Sequence, residues 1–322
     1  MPRKLRVEYS GAVYHLMNRG DRREPIFHDE KDRERFLQTL GEACDKTGWQ
    51  VHALCLMSNH FHLVVETPKA NLVAGMKWFL GTYTSRFNRR HRLSGHLFSG
   101  RYKSLVVDSS GSGYMRTACE YVHLNPVRAK VLRPEQRLRD YVWSSYGQYL
   151  KAPAERWPWL RVDRLLGEMR IPKDSPAGRR QFEIMTEEPR RNEGEEPTRW
   201  KAIRRGWYLG DQQFKEELLE QMNGRLSEHH NGTEKQESSE QHAERLVAQE
   251  LQRRRWKEAD LALRRKGDRE KLKIALRLRR ETTMTLKWIA QRLQMGTWTN
   301  VANCLAKAKV KVSKVGTDPS DN

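Results

Sequence analysis

The chain has 322 residues, longer than the usual single domain of about 100 to 200 residues, so more than one folding unit is expected. Its 61 Lys and Arg against 41 Asp and Glu give a formal net charge of +20, which favours polyanionic partners, nucleic acid first, over acidic small molecules. Cys44, Cys55, Cys119 and Cys304 are widely spread with no CxxC pair, which argues against a disulfide framework or a zinc ribbon, and no apolar run suits a signal peptide or a membrane span. A cytoplasmic protein without membrane attachment is therefore expected.

The charge is uneven: residues 1–150 hold 24 basic and 14 acidic side chains, residues 151–240 hold 17 and 18, and residues 241–322 hold 20 and 9. Residues 12–18, AVYHLMN, read as a strand, followed by an NRGDRR turn and an amphipathic segment with Phe36, Leu37 and Leu40 at helical spacing. Residues 49–57 and 60–66, HFHLVVE, are strand-like runs joined by a Ser58-Asn59 turn short enough for a hairpin. From Leu72 to about His91 apolar residues recur at helical spacing, and residues 102–107, YKSLVV, are extended. The order βαββαβ is that of the ferredoxin-like split βαβ unit, an α+β fold with an antiparallel sheet and two helices on one face.

A further helix is expected from about Gly113 to Asn125, where Pro126 disfavours helical geometry in the residue before it. The expected division is a first domain over residues 1–150, a proline-broken helical connection over 151–227, a polar flexible linker over 228–243, and a basic helical region over 244–315.

Successive side chains of a strand alternate faces, so His60 and His62 point one way while Phe61, Leu63 and Val65 point into an apolar layer. Imidazoles at i and i+2 can share one cation with a third ligand from elsewhere, although such a pair is also found facing solvent or hydrogen-bonded. In EYVHLNPVRAK, Tyr121 and Asn125 are four apart and share a helix face, as a nucleophile and ligand or as a half-buried anchor and a cap. A tyrosine of ordinary pKa needs charge neutralisation at a phosphodiester before it attacks, and a divalent cation supplies that. Tyr102, Tyr114 and Tyr141 are the competing nucleophiles. Glu66 shares the histidine face and reads as solvated.

SNHFHLVVE followed by EYVHLNPV, together with the opening RKLRVEYSGAVYHLMNRGDRR, resembles the single-tyrosine HUH transposases, particularly those associated with repetitive extragenic palindromes (REP elements). The resemblance spans roughly residues 1–150. It implies Mg²⁺ or Mn²⁺ held by His60 and His62, a third ligand at Asn125, and Tyr121 as the nucleophile that forms a 5′-phosphotyrosine bond with single-stranded or hairpin DNA. Asn125 departs from the glutamine often found at that position in the smallest relatives.

Arg86, Arg89, Arg90, Arg101 and Lys103 form a basic cluster suited to phosphate contacts. In the tail, LKWIAQRLQMG resembles the C-terminal DNA-binding region of bacterial replication initiators, a helix-turn-helix in which Thr297, Trp298, Thr299 and Asn300 open the recognition helix. The alternative function is a non-enzymatic regulator that binds duplex DNA through this tail. Monomer and homodimer are both compatible with the sequence.

Overall fold

Strand β1 (Ala12–Arg19) is buried along most of its length because it lies inside the sheet, between β3 (His60–Thr67) and β4 (Lys103–Val107). The computed structural model describes residues 6–133, 135–191, 200–228 and 233–315, and the chain divides into two compact units, Met1–His230 and Asn231–Asn322. β2 (Gln50–Leu56) pairs with the outer edge of β3, giving the antiparallel order β2-β3-β1-β4 of the expected ferredoxin-like fold. A short fifth strand, β5 (Tyr208–Leu209), adds in parallel to β4.

Two helices cover one face. α1 (Glu30–Thr47) starts where the Asp29 side chain accepts the Asp32 N–H and stops at Gly48, whose φ of 74° is the left-handed geometry that glycine adopts without penalty. α2 (Leu72–His91) packs beside it. Together they bury Phe36, Leu40, Met76, Phe79, Tyr83 and Phe87 against Leu16, Phe61, Leu63 and Val65 of the sheet.

The opposite face is covered by α3 (Tyr114–His123), whose Met115, Ala118, Cys119, Tyr121 and Val122 pack on Val13, Val64, Leu105 and Val107. The helix expected to end at Asn125 ends earlier, and Asn125 instead opens a new helical turn, α4 (Asn125–Arg128). Pro126 thereby occupies a first-turn position, where its missing N–H leaves no bond unmade.

The chain continues through α5 (Tyr146–Tyr149), α6 (Asp163–Glu168), α7 (Pro176–Arg191), α8 (Lys201–Arg205) and α9 (Gln212–Glu228). Residues beyond 150 are more than a connection. Leu165, Phe182, Trp200 and Leu209 complete the core under α3.

The second unit contains α10 (Thr233–Arg254), α11 (Glu258–Leu263), α12 (Arg269–Glu281), α13 (Leu286–Arg292) and α14 (Trp298–Val315). Helix α10 stands where residues 233–243 were expected to be a flexible linker; residues 229–232 lie outside the described residues. Its core gathers Leu246, Leu261, Ile274, Leu278, Ile289, Leu293 and Val301. Lys271 is buried there, its ammonium donating to the carbonyls of Arg264 and Gln294 at 3.1 Å each, which ties α12 to the turn before α14. Gly296 takes φ 83° in that turn, and the Thr297 hydroxyl accepts the Asn300 N–H at 3.2 Å as a helix cap. Among the described residues no helix is long and apolar enough to cross a membrane.

Candidate active site

Strand register decides which side chains meet. Arg19 lies opposite His60 and Met17 opposite His62, so the odd residues of β1 share the face of His60 and His62. His15 is therefore on that face too, diagonal to His62 and flanked across the strands by Val64 and Leu105. The His60 and His62 rings lie 5.1 Å apart at 84°, and the His15 and His62 rings 5.2 Å apart and within 7° of parallel.

α3 lays Tyr121 over this group. Its ring stands edge-on to His15 at 5.3 Å and to His62 at 5.5 Å. On its other side the Arg128 guanidinium sits 3.9 Å from the ring centre and donates to the Tyr121 carbonyl, and Trp200 packs at 5.4 Å. Tyr121 is only 8% exposed, a consequence of that cover. Asn125 is buried one helical turn further on; among the described residues no hydrogen bond joins it to either histidine.

Burial pushes His60 down to about 4, with Arg19 adding to the effect, and pushes His15 down to about 3, helped by Arg128. His62 lies well below its ordinary value, through burial first and then through His15 and His60. All three are neutral imidazoles at pH 7, the form that ligates metals. The Nδ1 of His60 is 2.8 Å from Asn59 Oδ1, and the Nδ1 of His62 is 3.0 Å from His15 Nε2. Among the described residues no hydrogen bond engages Nε2 of His60 or His62. Two neutral imidazoles with their Nδ1 atoms occupied and Nε2 atoms unengaged are a donor set that fits a divalent cation.

The competing tyrosines are placed elsewhere. Tyr141 donates its hydroxyl to the Leu56 carbonyl at 2.6 Å, Tyr102 packs under Arg6, and Tyr114 opens α3. Glu66, expected to be solvated, is instead held by Arg164 at 2.7 Å, His52 at 3.2 Å and Arg161 at 3.4 Å, and its carboxyl is lowered to about 2, chiefly by the His52 hydrogen bond and then by Arg164. Sequence periodicity found the face of Glu66 but not these partners, because two of them come from residues 161–164, outside the strands.

A second cluster, His28, Asp32 and His91, brings potential ligand atoms within 4.8 Å of one another. It lies where α1 begins and α2 ends, across the sheet from Tyr121. The Asp32 carboxylate already accepts the His28 N–H at 2.9 Å, contacts His91 Nε2 at 2.9 Å and pairs with Arg90. This is a helix cap locked by an ion pair.

The basic cluster divides in the same way. Arg86 is committed to Glu42 and Thr39, and Arg90 to Asp29 and Asp32. Arg89, Arg101 and Lys103 are exposed, and Lys103 lies opposite Met17, on the histidine face of the sheet. In the second unit Thr297, Trp298 and Thr299 are exposed, whereas the Asn300 amide donates to the Met295 carbonyl at 2.9 Å. His15, Arg19, Asn59, Arg128 and Trp200 escaped the sequence reading. A period of two places His15 and Arg19 on one face of β1, but only the pairing of β1 with β3 tells which face of the sheet that is.

The sequence profile of the family described as IS200-like transposases matches residues 8–125, from the residues before β1 to Asn125. Residues 8–125 are therefore similar to that family, over less than half of the chain. The match ends before most of the chain, so residues 126–322 lie outside it. A solved structure described as a REP-associated tyrosine transposase bound to a REP hairpin is similar at 12% identity, over 46% of this chain and 84% of that one, with a TM-score of 0.38. No curated protein matches the chain. The matched segment contains His15, Asn59, His60, His62, Tyr121 and Asn125, whereas Arg128 and Trp200 lie beyond it.

Proposed function

We propose that residues 8–125 form an IS200-like transposase domain that cleaves and rejoins single-stranded DNA at hairpin or palindromic elements, with Tyr121 as nucleophile. The convergence of His60, His62 and Tyr121 on one face of the sheet carries this reading. The Tyr121 oxygen attacks a phosphodiester phosphorus, the bond from phosphorus to the 3′-oxygen breaks, and the phenol proton is lost while the departing 3′-oxygen gains one. A 5′-phosphotyrosine and a free 3′-hydroxyl result, and attack by a 3′-hydroxyl on that bond reverses the step. His60 and His62, with Asn125 as third ligand, would hold Mg²⁺ or Mn²⁺, which when bound neutralises and orients the phosphate. Arg128 fixes the tyrosine ring by lying over its face, and Arg19 adds positive charge beside His60. Arg89, Arg101 and Lys103 supply phosphate contacts, and the similarity of the opening motifs to the palindrome-associated group favours a hairpin substrate.

The second unit binds duplex DNA through α13 and α14, with Thr297, Trp298 and Thr299 at the exposed start of the recognition helix. The cover of Arg128 and Trp200 over Tyr121 favours one rival, a regulator that uses only this unit and no chemistry. Purified protein is incubated with labelled single-stranded hairpin DNA and Mn²⁺ or Mg²⁺, and protein-linked DNA is read on a denaturing gel. A metal-dependent adduct that Tyr121→Phe abolishes and Tyr114→Phe retains supports the nuclease. No adduct over several palindromic substrates, with metal-independent duplex binding, favours the regulator.

A further inference from the structure

We propose that His15 and Asn59 are positioning residues for the histidine pair, each holding one imidazole as its Nδ1–H tautomer so that both Nε2 atoms are presented to the cation. The inference rests on the metal-site reading above and says how that site is kept ready for its ion. A metal takes the lone pair of one ring nitrogen, so whatever the other nitrogen is bonded to decides which atom is available.

For His60 the assignment follows from hydrogen-bond direction. Asn59 donates its Nδ2 to the Arg23 carbonyl at 2.9 Å, which turns its Oδ1 toward His60 Nδ1 at 2.8 Å. An amide oxygen only accepts, so His60 Nδ1 carries the proton and its Nε2 carries the lone pair. Asn59 sits in the turn between β2 and β3, fixed at both ends of its amide.

For His62 the partner is another imidazole. His15 Nε2 lies 3.0 Å from His62 Nδ1 with the rings within 7° of parallel. His15 is 6% exposed, with the aliphatic Val64 and Leu105 directly across the strands from it and Val13 beside it on the same face, a position where an aliphatic side chain would pack without the penalty of burying two ring nitrogens. If His62 donates, its Nε2 keeps the lone pair beside His60; if His15 donates, His62 Nε2 carries a proton and is closed to a cation. The proposal is the first arrangement. Tyr121, edge-on to both rings, then meets a preset pair.

The test uses the full chain labelled with ¹⁵N-histidine and stripped of metal. Two-bond ¹H–¹⁵N correlation spectra, with His62 assigned through His62→Gln, report its tautomer without any reaction. The wild type should show His62 protonated on Nδ1. His15→Phe, which keeps a flat apolar ring, should move His62 to the Nε2–H form or a mixture and weaken Mn²⁺ binding by about 10- to 100-fold in calorimetry. His15→Gln, whose amide oxygen accepts, should recover much of both and stands in if His15→Phe fails to fold. Asn59→Asp should keep the His60 tautomer that Asn59→Leu loses. His62 protonated on Nε2 in the wild type, or tautomer and affinity unchanged in His15→Phe, overturns the inference and leaves the nuclease reading standing. A wild type that binds no Mn²⁺ fails the metal reading itself and this inference with it.

Discussion

The two faces of β3 are built from the same eight residues and do opposite things. Phe61, Leu63 and Val65 are fully buried under α1 and α2, in an aromatic cluster where Phe36 lies 5.1 Å from Phe61 and 4.9 Å from both Phe79 and Tyr83. His60, His62 and Glu66 occupy the other face, with His15 and Tyr121 at one end and the Glu66 ion network at the other. A polar group inside a sheet holds its geometry only if the backbone beneath it cannot shift. The apolar face supplies that rigidity, and the histidine face uses it.

Single substitutions at the adjacent residues Phe61 and His62 should separate the two faces most sharply. His62→Ala should lower metal-dependent cleavage by at least about 100-fold, since a polarising cation is worth several kcal/mol of barrier. Its unfolding free energy in the absence of metal should fall by less than that of Phe61→Ala, because what is lost is a smaller ring and one hydrogen bond to His15. Phe61→Ala should reverse the pattern, losing about 3–5 kcal/mol of stability while the fraction still folded forms adduct. Urea unfolding and single-turnover cleavage on both variants test it; if His62→Ala unfolds as readily as Phe61→Ala, the two faces are not separable.

Acid should act first at the other end of the histidine face. The Glu66 carboxyl, lowered to about 2 from its ordinary 4.5, stays ionised in the folded chain at pH values where the unfolded chain has taken up a proton. Its contribution to stability is therefore present above about pH 4.5 and is lost as pH falls toward 2. His52, buried and with its own pKa lowered, donates as a neutral ring. Glu66→Gln should be less stable than wild type at pH 7, and the gap should close between pH 4.5 and 2 in a urea series. A gap that stays constant across that window would mean that Glu66 contributes packing alone.

How much of this was legible depended on the range of the signal. Alternation in HFHLVVE placed the histidines and Phe61 on opposite faces, and the order of elements gave the sheet, because both signals are local. The face of His15 was not legible: it follows from the pairing of Met17 with His62, and register between strands some 45 residues apart leaves no mark in either segment. Pro126 misled for a related reason. It disfavours helix in the residue before it, but here it opens a second turn, so Asn125 starts α4. The cover of Tyr121 was out of reach because Trp200 lies nearly 80 residues downstream, in a stretch whose prolines suggested only a connection. Polarity over 228–243 suggested a linker where most of the stretch belongs to α10, since helix formation there uses an apolar stripe of Ala243, Leu246 and Val247 only at its far end.

The smallest expected effect concerns the cations that one stretch of sequence grouped together. Arg86 and Arg90 end in carboxylates of α1 and its cap, whereas Arg89, Arg101 and Lys103 are exposed, and Lys103 lies on the histidine face. A cation already paired inside the chain releases few counterions when DNA arrives, because the internal carboxylate must first be given up. Arg101→Ala or Lys103→Ala should therefore reduce the slope of log binding constant against log salt by about 0.7 for single-stranded DNA. Arg90→Ala should leave that slope unchanged and instead destabilise the junction of α1 and α2, where Asp32 would remain buried with only His91 and the His28 N–H to hold it. Binding isotherms on a hairpin oligonucleotide at four salt concentrations, for these three variants and wild type, separate the two classes. If Arg90→Ala flattens the slope as much as Lys103→Ala does, the ion pair with Asp29 and Asp32 opens on binding, and the two faces share the work of holding DNA.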